Sequence, residues 1–400
     1  MRYKHPTEIP RSEKIRSLEW TGDRIPCATA NVRGDTHPMA WAADGELYIG
    51  TGDPNWMIRD GVVYASIDWT NKQISDEEYK SMCGLCVEKI TGNPIEFELS
   101  RVNDMPGYIG GGGYGPKPSG MISVDGVLYY AVQNLLGWKP PRFRKNSQHG
   151  SDATILRSDD YGKTWTPDLD PVLLEMEKEQ YVRGNRKVTG FGWQTPPEAR
   201  AEYKGWKPMF PGNLFGGPSF IQFGQDNREA VDDYVYAVSG DHWDNGSEMR
   251  LGRVSKDKIL DRDAWEFAIP KADGGVEWVK ELDVSEPVLT IEGHLSLPEM
   301  VYIPSIKKYL LVTWALHTDF DAKDGSELTL LEADNPWGPF KLVYYEWMWY
   351  KEEASPYCPR IPLKWFDNTN LIGWMLHSGN WQTQIPYYLP QVRPFKLIMK

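Results

Sequence analysis

Carboxylates and imidazoles recur through this chain at places where short apolar runs begin or end. Asp35 and His37 precede one such run and Asp53 follows it. Asp241, His242 and Asp244 then crowd around Trp243, with Glu248 just beyond. Further along stand His294 and Glu299, His317 and Asp319, Glu327, Tyr357 and Arg360, and finally His377 with Trp381. Groups of these types move protons. A carboxylic acid that keeps its proton can assist a leaving oxygen, while an ionised neighbour attacks or activates water. Crowding supplies both states, because like charges raise one carboxyl pKa while histidines and Arg360 hold another down. Such chemistry requires residues hundreds of positions apart to meet, so the chain must contain elements that deliver them to one place.

Those elements can be read from a repeated pattern: a proline, an apolar run, a turn and a second apolar or aromatic run. It occurs at Pro38–Tyr48, at Pro118–Tyr129, at Pro218–Phe223 with Tyr234–Val238, at Pro298–Tyr302 with Tyr309–Val312, and at Pro359–Leu363 with Leu371–Met375. The anchor prolines lie roughly 60 to 100 residues apart, too long for a solenoid repeat but right for a four-stranded sheet with decorated loops. The pattern predicts an all-β chain, a five-bladed β-propeller with four antiparallel strands per blade. Blades begin near residues 35, 116, 216, 296 and 357, residues 1–400 form one domain, and the segment 1–30 helps to close the ring.

Third strands are marked independently by Gly150-Ser151-Asp152, Gly246-Ser247-Glu248 and Gly325-Ser326-Glu327, each followed by an apolar strand. After the first of these, Ser158, Asp160, Gly162, Thr164 and Trp165 match the Asp-box, a hairpin in which the aspartate caps the turn, glycine supplies a positive φ and tryptophan tucks beneath. That motif is scaffold and carries no catalytic meaning. Along an antiparallel blade, the start of strand one, the end of strand two and the loop into strand three share a rim, whereas the Asp44-Gly45 and Asp125-Gly126 turns and the Asp-box lie on the other. Sorted this way, six of the seven histidines, His149 among them, reach the first rim with most of the acids named above. Only His5 is left out. Propellers bind ligands where such loops converge on the axis.

Net charge is −12 and no basic run exceeds Arg142–Lys145, so neither nucleic acid nor an anionic membrane is an expected partner. No stretch is long and apolar enough to span a bilayer. The first residues lack an apolar export core, which reads as a cytoplasmic chain, or a secreted or periplasmic one had an export signal been removed. Aromatic residues make up 13% of the chain, with 18 Trp and 21 Tyr. Most of these rings are expected to pack between blades, and Trp56, Trp243, Trp314 and Trp381 to stack on sugar faces. Cys83 and Cys86 are a lone close pair without further ligands and read as packed thiols. Gly110, Gly112 and Gly115 fit a dinucleotide fingerprint formally, but prolines rather than a helix follow, so they read as a rim loop. No cofactor is expected and no metal ligands are assigned. A structural calcium on axial carboxylates would suit the charge, but no ligand-spaced acidic loop supports it.

The rim suits glycosidic bond cleavage. Asp35 or Asp53 is assigned as base or nucleophile and Glu299 or Asp241 as acid. His37, His242, Trp243, Glu248, His317, Glu327, Tyr357, Arg360, His377 and Trp381 are assigned to a carbohydrate substrate. Two alternatives stand beside this reading. One is a polysaccharide lyase in which His242 or Tyr357 abstracts a proton alpha to a uronate carboxylate neutralised by Arg360. The other is a non-catalytic sugar-binding propeller.

The stretch Gly34–Asp53, together with Gly120–Tyr129, Asp233–Val238 and Arg253–Arg262, resembles a bacterial five-bladed propeller family of formerly unknown function that includes endo-D-arabinanase-type glycoside hydrolases. The resemblance covers most of the chain. It implies a glycoside hydrolase-like fold in which Asp35 and Asp53 match the two aspartates flanking the family's first hairpin. The chain departs from that pattern at His37, where related chains often carry Trp, and after Asp53, where Pro54, Asn55 and Trp56 replace Gly. Both changes fall in the implied pocket, so arabinan specificity does not follow.

Overall fold

Proline-led apolar runs form strands in this chain, and Asp-Gly pairs turn them back on themselves. The computed structural model describes residues 2–29, 34–54, 58–59, 62–63, 84–105, 114–138, 148–166, 208–317, 325–349, 356–379 and 388–400. These residues form strands and short 3-10 turns with no α-helix, so the described chain is all-β. The expected rim loop at Gly110 and Gly112, the Arg142–Lys145 run, Cys83, Trp56, Asp319 and Trp381 lie outside the described residues.

Five sheets carry the strands that contain or adjoin the anchor prolines. In the first, Asp35–Trp41, Leu47–Gly52, Leu85–Asn93 and Glu96–Asn103 pair in order as an antiparallel meander. In the fourth, Glu299–Ile303, Lys308–Leu316, Ser326–Ala333 and Lys341–Glu346 do the same. In the fifth, Tyr357–Arg360, Ile372–Ser378, Pro390–Met399 and Ile15–Trp20 pair in order, with Ile25–Pro26 added beside Pro390–Met399. Among the described residues the expected four strands do not hold in the second and third sheets. The second sheet has three, Tyr114–Val124, Val127–Trp138 and Gln148–Ser158, with its outer edge met only by isolated bridges such as Arg157 to Thr166. The third branches. Gly246–Ser255 pairs near one end with the Glu266–Pro270 hairpin strand and near the other with Leu289–Leu295, because a register shift between Gly246 and Glu248 bends the strand.

The innermost strands form a circuit. Asp35–Trp41 lies against Tyr114–Val124 on one side and Tyr357–Arg360 on the other, and Tyr114–Val124 in turn meets Pro218–Phe220, which meets Glu299–Ile303. The Ile361 N–H donates to Glu299 Oε2 at 2.6 Å and joins the remaining pair. The result is a propeller-like arrangement of sheets around a centre. The amino-terminal segment contributes edges: Ile15–Trp20 pairs with Pro390–Met399, and Arg2–Tyr3 runs parallel to Leu289–Leu295.

Turns gather at the end of the ring away from Asp35. Asp226 Oδ1 accepts from the Ser123 hydroxyl at 2.7 Å and the Gly126 N–H at 2.9 Å, and Gln225 Nε2 donates to the carbonyl of Ala42 at 3.1 Å. In the Ser158–Trp165 hairpin, Asp160 Oδ1 accepts the Thr164 N–H at 2.9 Å, Gly162 has φ 87°, and the buried Trp165 indole donates to Gly162 O at 3.0 Å.

Adjacent sheets approach so closely that side chains are excluded from some positions. A Cβ on Gly120 would lie 2.5 Å from Pro218 O and 2.9 Å from Ser219 Cα, both backbone atoms of the next inner strand. Gly120→Ala is therefore expected to destabilise the chain by about 1–3 kcal/mol, as overpacking does. Urea melts that superimpose on wild type would refute this close inner packing.

Candidate functional site

The position immediately after each anchor proline points toward the centre in three of the five sheets, placing Ser219, Glu299 and Arg360 there, while His37 and Lys117 come from the position immediately before. Arg360 is fully buried. Its Nε donates to Thr36 O at 3.2 Å and its Nη1 to Ser219 Oγ at 3.4 Å, linking the first, third and fifth sheets. Glu299, 2% exposed, accepts the Ile361 N–H. Burial pushes its carboxyl up to about 7, against the opposing pull of Arg360 and of that N–H.

Asp35 and Asp53 flank the first hairpin and share this space. The Asp35 carboxylate accepts the Tyr357 hydroxyl at 2.9 Å and the Tyr388 hydroxyl at 3.2 Å on Oδ2, and the Thr36 hydroxyl at 2.9 Å on Oδ1. Burial, and then the charge of Asp53, raise Asp35 to about 6, while Lys117, Tyr357 and Thr36 pull the other way. Asp53 pairs with the Lys117 ammonium in direct contact, and both are buried. Tyr357 is itself pushed well above its ordinary value, by burial first and by Asp35 next, so it stands as a hydroxyl donor. His37 is fully buried, and burial followed by the Arg360 charge drives it down to about 3, leaving a neutral imidazole.

The backbone is strained here. Thr36, His37, Asp53 and Cys358 have φ of 69°, 44°, 49° and 51°, a conformation that non-glycine residues rarely adopt, and all four border the same centre. A Cβ on Gly52 would lie 2.5 Å from Asp35 Oδ1, so only glycine leaves room for the carboxylate. Among the described residues, two buried polar atoms at the site, Arg360 Nη2 and His37 Nε2, have no hydrogen-bond partner. Buried polar atoms normally find one.

Other assignments from the sequence fall elsewhere. Asp241, expected as an acid, caps its own loop: Oδ1 accepts the Ser247 N–H at 2.9 Å and the Glu248 N–H at 3.2 Å. Although burial would raise Asp241, His242 and these N–H groups outweigh it and hold the carboxyl below its ordinary value, unlike a proton donor. His242 sits 3.3 Å from it. Trp243 and Trp314 were expected to stack on sugars. Instead they are buried, with ring centroids 5.3 Å apart and Tyr357 against both, because a large apolar ring next to the centre is worth more in the core than at the rim. Glu248 pairs with Arg250 at 2.9 Å. His377 is fully buried beside Trp349, and burial, then Arg24, drives it down to about 3. His317 stacks on Trp347 at 3.6 Å and, with Glu327 and His294, belongs to a second cluster. His5, set apart from the other histidines in the sequence, lies 4.9 Å from the His294 ring. Sequence reasoning missed Lys117 and Tyr388. Lys117 carried a signal, since it occupies the position of His37 relative to its proline; Tyr388 carried none.

No family model matches the chain, and no curated protein matches it. Solved structures show a likeness of low score. A protein of unknown function from Dyadobacter fermentans is 11% identical, with 96% of this chain and 100% of that one covered and a TM-score of 0.46. The catalytic domain of a GH62 α-L-arabinofuranosidase from Coprinopsis cinerea is 10% identical over 95% and 97%, TM-score 0.46. An α-L-arabinanase mutant from Cellvibrio cellulosa is 9% identical over 91% and 91%, TM-score 0.44. Identities and scores this low leave the chemistry to be judged from this chain's own residues.

Linkage gives the site a measurable signature. Glu299 holds its proton more tightly folded, at about 7, than at its ordinary 4.5, so its contribution to stability is full below pH 4.5 and is lost as pH rises through about 7. His37 and His377 act oppositely: their contribution is full above 6.5 and is lost as pH falls toward about 3. Taking the difference between wild type and Glu299→Gln isolates the glutamate. Relative to the variant, wild type should lose stability on the order of 3 kcal/mol between pH 4.5 and pH 8. Paired urea melts check this, and a pH-independent difference would mean that Glu299 is not a buried, protonated acid.

Proposed function

We propose that the chain is a single five-bladed β-propeller over residues 1–400, with the Ser158–Trp165 hairpin as its Asp-box, and that it acts as a glycoside hydrolase on a poly- or oligosaccharide. One observation carries the reading: buried carboxyl groups around one centre occupy opposed environments. Glu299, raised to about 7, retains a proton to give to a leaving oxygen, and Asp53 stands as a carboxylate against Lys117. In this scheme Glu299 is the general acid and Asp53 the base or nucleophile. Asp35, fixed by Tyr357, Tyr388 and Thr36, orients the sugar and stabilises positive charge that develops on its ring. His37 Nε2 and Arg360 Nη2 meet substrate oxygens. The net charge of −12 favours a neutral glycan over a polyanionic one. A lyase base at Tyr357 is disfavoured, because that hydroxyl is buried, raised well above its ordinary value and committed to Asp35.

The test incubates the protein with neutral furanosyl and pyranosyl polysaccharides and with uronate-containing ones, following reducing ends and ultraviolet absorbance of unsaturated uronates together. Reducing ends without absorbance are expected. Glu299→Gln and Asp53→Asn should each reduce turnover roughly 10²–10⁴-fold, the usual worth of a positioned acid or base, while sugar binding persists. Asp241→Asn should lower stability more than turnover. Wild-type kcat/KM should fall as pH rises through about 7, as Glu299 loses its proton. Absorbance rising with reducing ends would establish a lyase, and binding unaccompanied by cleavage a sugar-binding propeller.

A further inference from the structure

A second polar cluster lies apart from the inner strands, where the amino-terminal segment meets the third and fourth sheets. Glu327, on the strand Ser326–Ala333, has a side chain with no exposure. Its Oε1 is in direct contact with Nδ1 of His294, on the strand Leu289–Leu295, and its Oε2 accepts the Tyr345 hydroxyl at 2.9 Å. The same hydroxyl lies 3.2 Å from Nε2 of His5, and His317 Nε2 lies 3.9 Å from Glu327 Oε2. One ligand atom from each of His5, His294 and Glu327 falls within 4.8 Å of the others.

We propose that His5, His294 and Glu327 bind a divalent transition metal, Zn²⁺ in the first instance, which pins the amino-terminal segment to the seam between the third and fourth sheets. Two imidazoles and one carboxylate are a donor set suited to zinc and poorly suited to calcium, which prefers oxygen. The outer contacts also suit it. With the metal on Nε2 of His5, the Nδ1–H donates to Thr7 Oγ1 at 2.8 Å, the orienting bond that metal-bound histidines commonly make, and the longer 3.3 Å contact from the Thr7 N–H is given up. Tyr345 orients Glu327 in the same manner. Binding would tether three segments that are remote in sequence, so the ion would act on the folded state and not on the unfolded chain.

The experiment uses tag-free, full-length protein stripped with chelator and titrated calorimetrically with Zn²⁺ and, separately, Ca²⁺. Thermal melts and limited proteolysis of the amino terminus are run in parallel. One Zn²⁺ per chain, a raised melting temperature and protection of the amino terminus are expected, with no response to Ca²⁺. Removing an outer-shell partner typically costs 10–100-fold in affinity, so Tyr345→Phe should weaken Zn²⁺ by about 10-fold and loss of a ligand, in His5→Ala or His294→Ala, by more than about 100-fold. His5 is on a partly exposed edge, so His5→Ala remains decisive even if His294→Ala fails to fold. Failure of wild type to bind Zn²⁺, unchanged affinity in His5→Ala, or a response to Ca²⁺ alone would overturn the proposal, leaving a hydrogen-bonded His–Glu network.

Discussion

A guanidinium with no solvent exposure sits where the inner strands meet, and much of the centre follows from keeping it there. Desolvating Arg360 costs several kcal/mol unless its surroundings compensate. Part of the compensation is local: Thr36 O and Ser219 Oγ accept from it. The rest is charge. Arg360 and Lys117 place two cations among Asp35, Asp53 and Glu299, so two carboxylates balance them and a third would be in excess. Burial settles which group gives way: Glu299 keeps its proton toward neutral pH against the pull of Arg360. An acid and a carboxylate thus arise from one requirement, that the centre be close to neutral.

The same constraint explains His37. Beside an obligatory cation an imidazole cannot afford a proton, and burial and Arg360 together hold it neutral over the working range. It keeps one nitrogen near the Thr51 hydroxyl, 3.4 Å away, while that hydroxyl donates to Glu88 Oε2 at 2.6 Å. Arg101 in turn contacts Glu88 at 3.3 Å. The chain of contacts runs outward from the centre to the third and fourth strands of the first sheet, so the outer strands fix the position of the inner polar groups and not merely their register.

Much of this was legible in the sequence, because anchor prolines impose a register. Proline cannot donate to a ladder, so it stands at the first residue of a strand, as Pro218 does, or at a register shift, as Pro38 and Pro118 do, and the residues on either side of it inherit defined directions. Asp35, His37, Glu299, Tyr357 and Arg360 were found through that register, and Lys117 obeys it as well, although its charge hid it among apolar neighbours. The failures have a different origin. Asp241 and Trp243 lie in the loop after Tyr234–Gly240, and Trp314 on Lys308–Leu316, all at the expected end of the blade, but position along the chain does not reveal whether a side chain turns to its own loop, to the core or to the centre. His5 could not be placed, because its neighbours are set by pairing between Arg2–Tyr3 and Thr290–Ile291, which no local pattern encodes.

Strain completes the account. A threonine, a histidine, an aspartate and a cysteine in left-handed backbone each cost of order 1–3 kcal/mol, and such residues persist only where surrounding contacts over-determine them. Here the determinants are the inner ring itself: glycines at 34 and 52 give way to the turned backbone, and Arg360 holds the Thr36 carbonyl. Straightening Thr36 and His37 into ordinary strand would move the carbonyl off the guanidinium and swing the Asp35 carboxylate away from its two tyrosines. The bent start of this strand is therefore the conformation in which the buried cation is satisfied and the carboxylates converge, and the stability it costs is recovered only by the closed ring around it.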